Sequence, residues 1–325
     1  MTDFKLASFN VENLGGEAPG FLEKRLPLLR PQLQRLDADI LCLQEVNATR
    51  VEKGKPRSFG ALDVLLKDTP YEGYHRAWTH QEGKDEPRDV HNLVVLSRYP
   101  TQKVKQYAHD LVPPVVVELA EDLKSEDPRT TARFERPLLH VTVEVGGAVL
   151  HILNLHLRAP SGSFLAGQKS APYVWKSVRG WAEAYYISSI KRAGQALEAR
   201  LLVDRIFDED PGASVVVCGD FNAEEDEVPL KILMAADEDT GDGRLAQRSL
   251  VALERSLPED RVFSVIHRGR KQMLDHLLVS HELLGGFRSM EIHNETLSDE
   301  AYVYENVEHS AESFHAPLVA HFVIK

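Results

Sequence analysis

The chain has 325 residues, and its 38 basic and 50 acidic side chains give a net charge of −12. Hydrophobic residues make up 43% and charged residues 27%, which excludes a disordered chain because enough apolar side chains are present to form a core. No apolar run reaches the ~18 residues of a transmembrane helix, and the negative balance opposes non-specific coating of nucleic acid.

The first third of the chain predicts strands that alternate with helices. Short apolar runs indicate strands at residues 5–11, 40–44 and 92–96, and the middle run is of the kind that is buried on both faces. Helical spacing of the apolar residues predicts helices at residues 27–36 and 59–66.

The rest of the chain predicts more strands and one long helix. A hairpin turns at Gly146-Gly147, and a helix over residues 181–207 has apolar residues at helical spacing. The predicted strands are residues 138–145, 148–154, 215–218, 273–279 and 317–323. We therefore expect two sheets packed face to face with helices outside, and polar loops at residues 120–136 and 160–176 that border a site.

The two cysteines and the N-terminal residues suggest where in the cell the protein is found. Cys42 and Cys218 each lie in an apolar run, so we expect two buried thiols and no disulfide framework. The opening residues, MTDFKLASFNVENL, lack the basic and apolar regions of a signal peptide. These features predict a cytoplasmic protein with no stable membrane insertion. They point to no protein partner.

Polar residues cluster where the predicted strands end. Strand ends in packed sheets converge on one edge, so these side chains can meet in a single pocket. Carboxylate, amide and imidazole groups without cysteine suit Mg²⁺ or Mn²⁺ better than a structural zinc site. The five clusters are Asn10-Val11-Glu12-Asn13, Gln44-Glu45, Asn154-Leu155-His156, Asp220-Phe221-Asn222 and Phe314-His315, and a sixth pair, Asp275-His276, lies within the predicted strand at 273–279.

Glu45 is the strongest candidate for a metal ligand. It follows an apolar strand, and a buried carboxylate is costly unless it is paired or bound to metal. Asn10 and Glu12 share one face of the first strand end, because alternate strand residues point the same way, and both are candidate ligands beside Glu45. Asp220 and Asn222 share a face for the same reason.

Three further residues are candidates for proton transfer and phosphate binding. His156 and His315 can move protons or bind phosphate oxygens, and Asp275 can orient a histidine. Aromatic residues over 175–186 fit either base stacking at a substrate rim or packing, and the sequence leaves both readings open.

Six segments, in this order, resemble motifs of the endonuclease/exonuclease/phosphatase superfamily, the fold of deoxyribonuclease I. They span nearly the whole chain, so the resemblance implies one domain over residues 1–325. The implied fold is a four-layer α/β sandwich, with two packed, mostly antiparallel sheets flanked by helices. The matching segments are residues 9–14, 39–46, 154–157, 219–222, 274–280 and 313–317.

The resemblance implies a divalent-metal-dependent phosphodiester hydrolase. A nuclease acting on DNA or RNA is the leading reading, and a phosphatase or a phospholipid or small-molecule phosphodiesterase is the alternative. Glu45 would be the main ligand of Mg²⁺ or Mn²⁺, with Asn10 nearby. The last motif usually reads Ser-Asp-His, but here Phe314 stands in the aspartate position, so we expect any second metal site to be lost or weakened.

The resemblance also implies catalytic roles. Asp220 would position the attacking water, Asn222 would help to hold the phosphate, and His156 would contact the scissile phosphate. His315 would pair with Asp275. Either Asp220 or His315 fits the role of general base. A non-catalytic binding module on the same fold would normally lose the carboxylate or the last histidine, and this chain keeps both. Substrate choice would lie in the loops at residues 50–58, 80–91, 120–136 and 160–180.

Overall fold

Two six-stranded sheets lie face to face in the computed structural model, which describes residues 1–16, 18, 20–119, 129–171, 173–301 and 311–324. The described residues form the strands β1 (Thr2–Leu14), β2 (Ile40–Val46), β3 (His75–Trp78), β4 (Asn92–Ser97), β5 (Thr101–Tyr107), β6 (Val115–Glu118), β7 (Arg129–Ala132), β8 (Leu138–Val145), β9 (Ala148–His156), β10 (Lys169–Ala171), β11 (Val174–Trp175), β12 (Ser214–Asp220), β13 (Val251–Ala252), β14 (Val265–His267), β15 (Arg270–Gln272), β16 (Asp275–Val279), β17 (Phe287–Ile292) and β18 (Leu318–Ile324).

The helices lie on the outer faces of the sheets and in the connections. The α-helices of the described residues are α1 (Leu22–Leu36), α2 (Gly60–Leu66), α3 (Val178–Glu209), α4 (Val228–Met234), α5 (Asp237–Thr240) and α6 (His281–Leu284). Short 3-10 helices are formed by Pro70–Gly73, Gly243–Arg248, Leu253–Ser256 and Glu259–Arg261.

The two sheets have the same plan. The first has the strand order β17-β18-β1-β2-β4-β3, and the second has the order β13-β16-β12-β9-β8-β5. In each sheet the central pair is parallel and the other pairs are antiparallel, so the prediction of two mostly antiparallel sheets is confirmed. Parallel neighbours need a crossover connection. Helix α1 supplies it between β1 and β2, and α3 supplies it between β9 and β12.

Three apolar layers hold the four structural layers together. The largest lies between the sheets, and the Cys42 thiol on β2 there hydrogen-bonds with Cys218 on β12. That contact and burial raise the pKa of the Cys42 thiol, and both cysteines are free, as predicted. A second layer packs α1 and α2 on the first sheet, and a third packs α3 and α4 on the second. The predicted four-layer sandwich is therefore confirmed.

Several elements differ from the predictions. Helix α1 begins at Leu22 rather than at residue 27, so Pro27 and Pro31 lie inside it. Strand β5 was not predicted, because its exposed lysines hide the strand pattern at the edge of the sheet. The predicted loop at 160–176 contains the β10–β11 hairpin. Within the predicted loop at 120–136, residues 120–128 lie outside the described residues, and β6 pairs with β7 on either side of them.

None of the described helices is both long enough and apolar enough to span a bilayer.

Buried His140 generates a prediction about acid stability. Its ring lies 5.3 Å from the ring of His151, and burial, together with the positive charge of His151, lowers the pKa of His140 to about 3. Below about pH 6.5 the unfolded chain binds a proton on this ring that the folded chain does not. The free energy of unfolding therefore falls as the pH drops from about 6.5 toward 3.

We expect His140→Gln to remove this proton uptake by the unfolded chain. The slope of the free energy of unfolding against pH should then be smaller by about 1.4 kcal/mol per pH unit near pH 5. Urea unfolding between about pH 4 and about pH 7 measures the slope. His75→Gln, at an exposed histidine of β3, is the matched control and should keep the wild-type slope. Identical slopes in His140→Gln and the wild type would contradict the assignment.

Candidate active site

The candidate site lies at the edge where the central strands of both sheets end. In the second sheet the register places Asp220 on β12 between His156 on β9 and Asp275 on β16. In the first sheet Asn10 on β1 lies beside Gln44 on β2. The predicted convergence of polar strand ends on one edge is thus seen in the register itself.

Polar contacts join the two sheets beneath this edge. Gln44 Nε2 donates to Asn154 Oδ1 at 2.7 Å, and Asn154 Nδ2 donates to the carbonyl of Leu43 at 3.1 Å. Asn10 Nδ2 donates to Asp220 Oδ2 at 3.0 Å. Each of these contacts runs from one sheet to the other, and the side chains of Asn10, Gln44 and Asn154 are fully buried. These three side chains form a buried polar floor beneath the cleft, and this floor holds the ends of the two sheets in register.

Glu45 reaches the cleft because the strand around it is irregular. The register of β2 with β4 shifts between Leu43 and Val46, and Glu45 has a left-handed backbone with a φ of 61°. Such a bulge redirects a side chain, at a cost on the order of 1–3 kcal/mol for a non-glycine residue. The carboxylate accepts hydrogen bonds from Asn10 Nδ2 at 3.3 Å and from the backbone N–H of Asn13 at 3.0 Å.

Asp220 is held by amides on both of its oxygens. Oδ1 accepts from the backbone N–H of Asn222 at 2.9 Å, and Oδ2 accepts from the side chains of Asn10 and Asn222, each at 3.0 Å. Burial raises the pKa of Asp220 to about 7, and the nearby carboxylates of Asp275 and Glu45 act in the same direction. The preceding Gly219 has a φ of 134°, and a Cβ there would lie 2.0 Å from the carbonyl oxygen of Leu155, so only glycine fits.

His315 and Asp275 form a hydrogen-bonded pair. His315 Nδ1 lies 2.7 Å from Asp275 Oδ2, which leaves Nε2 facing Asp220 Oδ2 at 4.0 Å. Burial alone would lower the pKa of His315, but Asp275 and Asp220 more than offset it and hold the pKa well above its ordinary value. Asp275 Oδ1 is buried and has no hydrogen-bond partner among the described residues.

Two residues that were not predicted as site residues, His91 and Arg136, flank His156. Arg136 hydrogen-bonds to His156 Nε2, which lies 3.3 Å from Asp220 Oδ2 and 3.6 Å from Glu45 Oε1. His91 Nδ1 lies 3.7 Å from Glu45 Oε2. Burial, and then the charge of Arg136, lower the pKa of both histidines. His91 and Arg136 end two of the predicted specificity loops, which was the only signal for them in the sequence.

Glu12 lies beside the cluster and contacts the last motif. Its Oε2 accepts from the backbone N–H of Phe314 at 3.0 Å, and burial raises the pKa of its carboxyl. Arg25 donates to the backbone carbonyl of Glu12 at 2.8 Å and braces this turn. Phe314 is buried, so the position that usually carries the motif's aspartate is occupied by an apolar ring.

The donor set fits a divalent cation. Two groups of three candidate ligands have their atoms within 4.8 Å of one another, and His156 and Asp220 connect them. Three of the six candidate ligands are carboxylates and three are imidazoles, a mixed oxygen and nitrogen set with no cysteine. The groups are Glu45, His91 and His156, and Asp220, Asp275 and His315.

The structure thus brings seven of the predicted site residues together in one cleft, with Glu12 at its margin. The seven are Asn10, Glu45, His156, Asp220, Asn222, Asp275 and His315. Their individual roles stay predictions.

The chain was compared with known families and curated proteins. The sequence model of the Endonuclease/Exonuclease/phosphatase family matches residues 7–299 of the chain. No curated protein matches it by sequence.

Solved structures with a similar fold include truncated TDP2 from Caenorhabditis elegans. It is 16% identical, with a TM-score of 0.55 over 99% of this chain and 98% of that one. A 3'-5' exonuclease (NExo) from Neisseria meningitidis is 17% identical, with a TM-score of 0.53 over 98% and 99% of the two chains. An AP endonuclease from Archaeoglobus fulgidus is 16% identical, with a TM-score of 0.50 over 99% and 100%. At these identities the likeness shows the fold alone.

A buried histidine behind the cleft generates a stability prediction. His276 hydrogen-bonds through Nδ1 to Glu254 and through Nε2 to the carbonyl of Ala223 at 2.8 Å, and so tethers the turn that carries Asn222. Burial alone would lower the pKa of His276, but Glu254 more than offsets it and raises the pKa above its ordinary value. His276 and Glu254 are at most 1% exposed.

We expect His276→Phe to lower the free energy of unfolding by about 3–5 kcal/mol, because Glu254 is left as a buried, unpaired charge. The double variant His276→Phe/Glu254→Leu removes both charges and should recover part of that loss. Urea unfolding at neutral pH compares the two. A double variant less stable than His276→Phe would contradict the ion-pair reading.

Proposed function

The chain belongs to the endonuclease/exonuclease/phosphatase family, and we propose that it is a divalent-metal-dependent phosphodiester hydrolase, most specifically a nuclease. The observation that carries the proposal is the meeting of Glu45, Asp220 and the His315–Asp275 pair in one cleft. Metal-assisted hydrolysis needs a cation ligand, a proton acceptor and a proton donor close together, and these three groups supply them.

Glu45 and Asn10 would hold the cation. Their side chains lie 3.3 Å apart, and Glu45 Oε1 lies 3.6 Å from His156 Nε2. A bound Mg²⁺ or Mn²⁺ supplies Lewis-acid polarisation of a phosphate oxygen. Asn10 also holds Asp220, so the same amide would couple the metal ligand to the residue that handles the proton.

Asp220 is the general base in this proposal, and His315 is the proton donor. The gap of 4.0 Å between Asp220 Oδ2 and His315 Nε2 lets one bound oxygen approach both groups. Asp220 would accept the proton of the attacking water while its oxygen bonds to phosphorus and the phosphoester bond breaks. His315, whose Nδ1 donates to Asp275, would donate its Nε2 proton to a phosphate oxygen, from which the leaving oxygen would take a proton as it departs as an alcohol.

Asn222, His156 and Arg136 surround the space in which the phosphate would lie. Arg136 is the cation that touches His156, and a guanidinium matches the planar pair of oxygens on a phosphate. His156 lies between Glu45 and Asp220, which supports its predicted contact with the scissile phosphate. Arg192 donates to the backbone carbonyl of Asn222 and steadies this turn.

A phosphatase or a phospholipid or small-molecule phosphodiesterase is the second candidate. It uses the same cleft, and the net charge of −12 favours it over a protein that coats nucleic acid. The nuclease is preferred because Arg158 lies near Arg136 and adds a further cation beside the space for the scissile phosphate, where a neighbouring phosphate of a polymer can bind. The exonuclease and the AP endonuclease with a similar fold are nucleases by name.

Glu45→Gln tests the metal assignment. It keeps the size of the side chain but removes its charge, so we expect turnover in Mg²⁺ to fall by about 10²–10³ or more. Titration of the protein with Mg²⁺ or Mn²⁺ alone by calorimetry should show weakened binding. Glu144→Gln makes the same charge change at an exposed site on β8 and should leave turnover and metal affinity unchanged. Unchanged metal binding in Glu45→Gln would refute the assignment.

The substrate class is tested with supercoiled plasmid, a small phosphodiester and a phosphomonoester in parallel. Each reaction is run in Mg²⁺, in Mn²⁺ and in chelator, with Glu45→Gln as the control for contaminating activity. Metal-dependent nicking that the variant loses would establish a nuclease. Activity on the small esters alone would favour the second candidate, and inactivity on all three would overturn the proposal of a hydrolase.

A further inference from the structure

The exposed aromatic residues are concentrated beside the cleft. In the described part of the chain, the aromatic side chains that are largely exposed all fall between residues 164 and 186. They belong to the loop after β9, the β10–β11 hairpin and the first turns of α3. They are Phe164, Tyr173, Trp181 and Tyr186, with exposures of 79%, 91%, 44% and 59%. Soluble proteins bury most of their aromatic area, so such a group marks a surface that meets a partner.

The same region is basic within an acidic protein. Residues 145–182 contain no Asp or Glu, whereas the whole chain has 50. Four basic residues lie in this stretch, namely Arg158, Lys169, Lys176 and Arg179, and the last of them pairs with Glu183 just beyond it at 3.5 Å. Lys169 Nζ lies 4.5 Å from the ring centroid of Trp175 and 6.0 Å from that of Tyr173. Positive groups therefore lie among the aromatic rings, which is the combination that binds single-stranded nucleic acid.

This surface is continuous with the catalytic cleft. Arg158 follows β9 two residues after His156, and its Nε donates to Ser188 Oγ on α3 at 3.1 Å. The loop that follows Arg158 then runs beside α3 toward the start of that helix. There the N–H of Ser163 donates to the carbonyl of Ala184 at 2.9 Å. Arg192, which contacts Asn222 in the cleft, is eleven residues from Trp181, or about 16 Å along the helix axis.

We propose that this surface, formed by residues 158–171 and 173–186, binds unpaired nucleotides of a nucleic-acid strand whose phosphate lies in the cleft. The inference rests on the proposed nuclease activity and specifies its substrate class. Successive bases would stack on Phe164 and Tyr173, and Lys169 would neutralise phosphate. Within the aromatic segment, one side of the Trp181 ring packs on Tyr185 with the ring centroids 5.5 Å apart, whereas Tyr186 is 59% exposed and open to a base.

A single strand is the occupant that the charges favour. A membrane-bound surface also combines aromatic and basic residues, but its apolar face enters the bilayer as one continuous patch. Here Lys169 lies over two of the rings, and Arg158 extends the positive charge into the cleft. A strand with one phosphate in the cleft would extend along this line of positive charge. Binding to a lipid surface needs no positive charge that leads into a cleft.

The test is fluorescence anisotropy with a labelled oligothymidylate of about twelve nucleotides, which lies in the usual range of site sizes. It is run in chelator, so that binding is measured without cleavage. Phe164→Ala and Tyr173→Asn each remove one ring, and Asn suits the φ of 65° at position 173. We expect each to weaken binding about tenfold, and Lys169→Gln to reduce the slope of log affinity against log salt by about 0.7.

Two variants elsewhere are matched controls. Leu245→Ala removes an exposed apolar side chain near the other end of α3, and Lys67→Gln removes an exposed lysine after α2. Both should bind the oligonucleotide as the wild type does. Thermal unfolding of every variant identifies any that lose the fold.

Each outcome decides the proposal. Equal affinities in the wild type and in both ring variants would overturn it. Binding to phosphatidylserine vesicles but not to the oligonucleotide, weakened by the same substitutions, would overturn it in favour of a membrane surface. A wild type that binds the oligonucleotide in chelator but hydrolyses no phosphoester in Mg²⁺ or Mn²⁺ would refute the proposed function and leave the binding surface standing.

Discussion

The hydrogen bond between Asn10 and Asp220 is the contact on which the cleft depends. Asn10 belongs to the first sheet and Asp220 to the second, and both are buried at their common edge. A buried carboxylate is costly without hydrogen bonds, so Asp220 needs this partner from the opposite sheet. The sheets therefore cannot slide past each other at this edge without unpairing it, and Gln44 and Asn154 reinforce the same register below.

This polar floor can persist because apolar layers surround it. Strand β12 is buried at six of its seven positions, and its neighbours β9 and β16 contribute to the same layers. The stability of these layers offsets the left-handed backbones of Glu45, His91 and Asn222, which have φ values of 61°, 54° and 50°. Left-handed non-glycine residues also occur elsewhere in the described chain, for example Ala235 at the end of α4, but these three bring their side chains to the cleft.

The strands that carry the site were predictable, because each is an apolar run that ends in polar residues. What the sequence could not show is how irregular backbone redirects individual side chains. Glu12 was expected to share a face with Asn10, yet its backbone is left-handed, with a φ of 48°, and its carboxylate contacts the N–H of Phe314. His91 and Arg136 were invisible for a different reason. A single histidine or arginine in a loop has no periodic signal, and only the sheet register brings it to His156.

Local charge accounts for how an acidic chain can bind a polyanion. Exposed charges more than about 10 Å apart are largely screened at physiological salt, so a bound strand responds to nearby groups and not to the net charge of −12. Near the cleft those groups are Arg136, Arg158 and the stretch at 145–182 that has no carboxylate. All 50 Asp and Glu residues of the chain lie outside that stretch, where they would repel the same strand. The charge that opposes non-specific coating would therefore restrict the polyanion of the proposed reaction to the face where the candidate site lies.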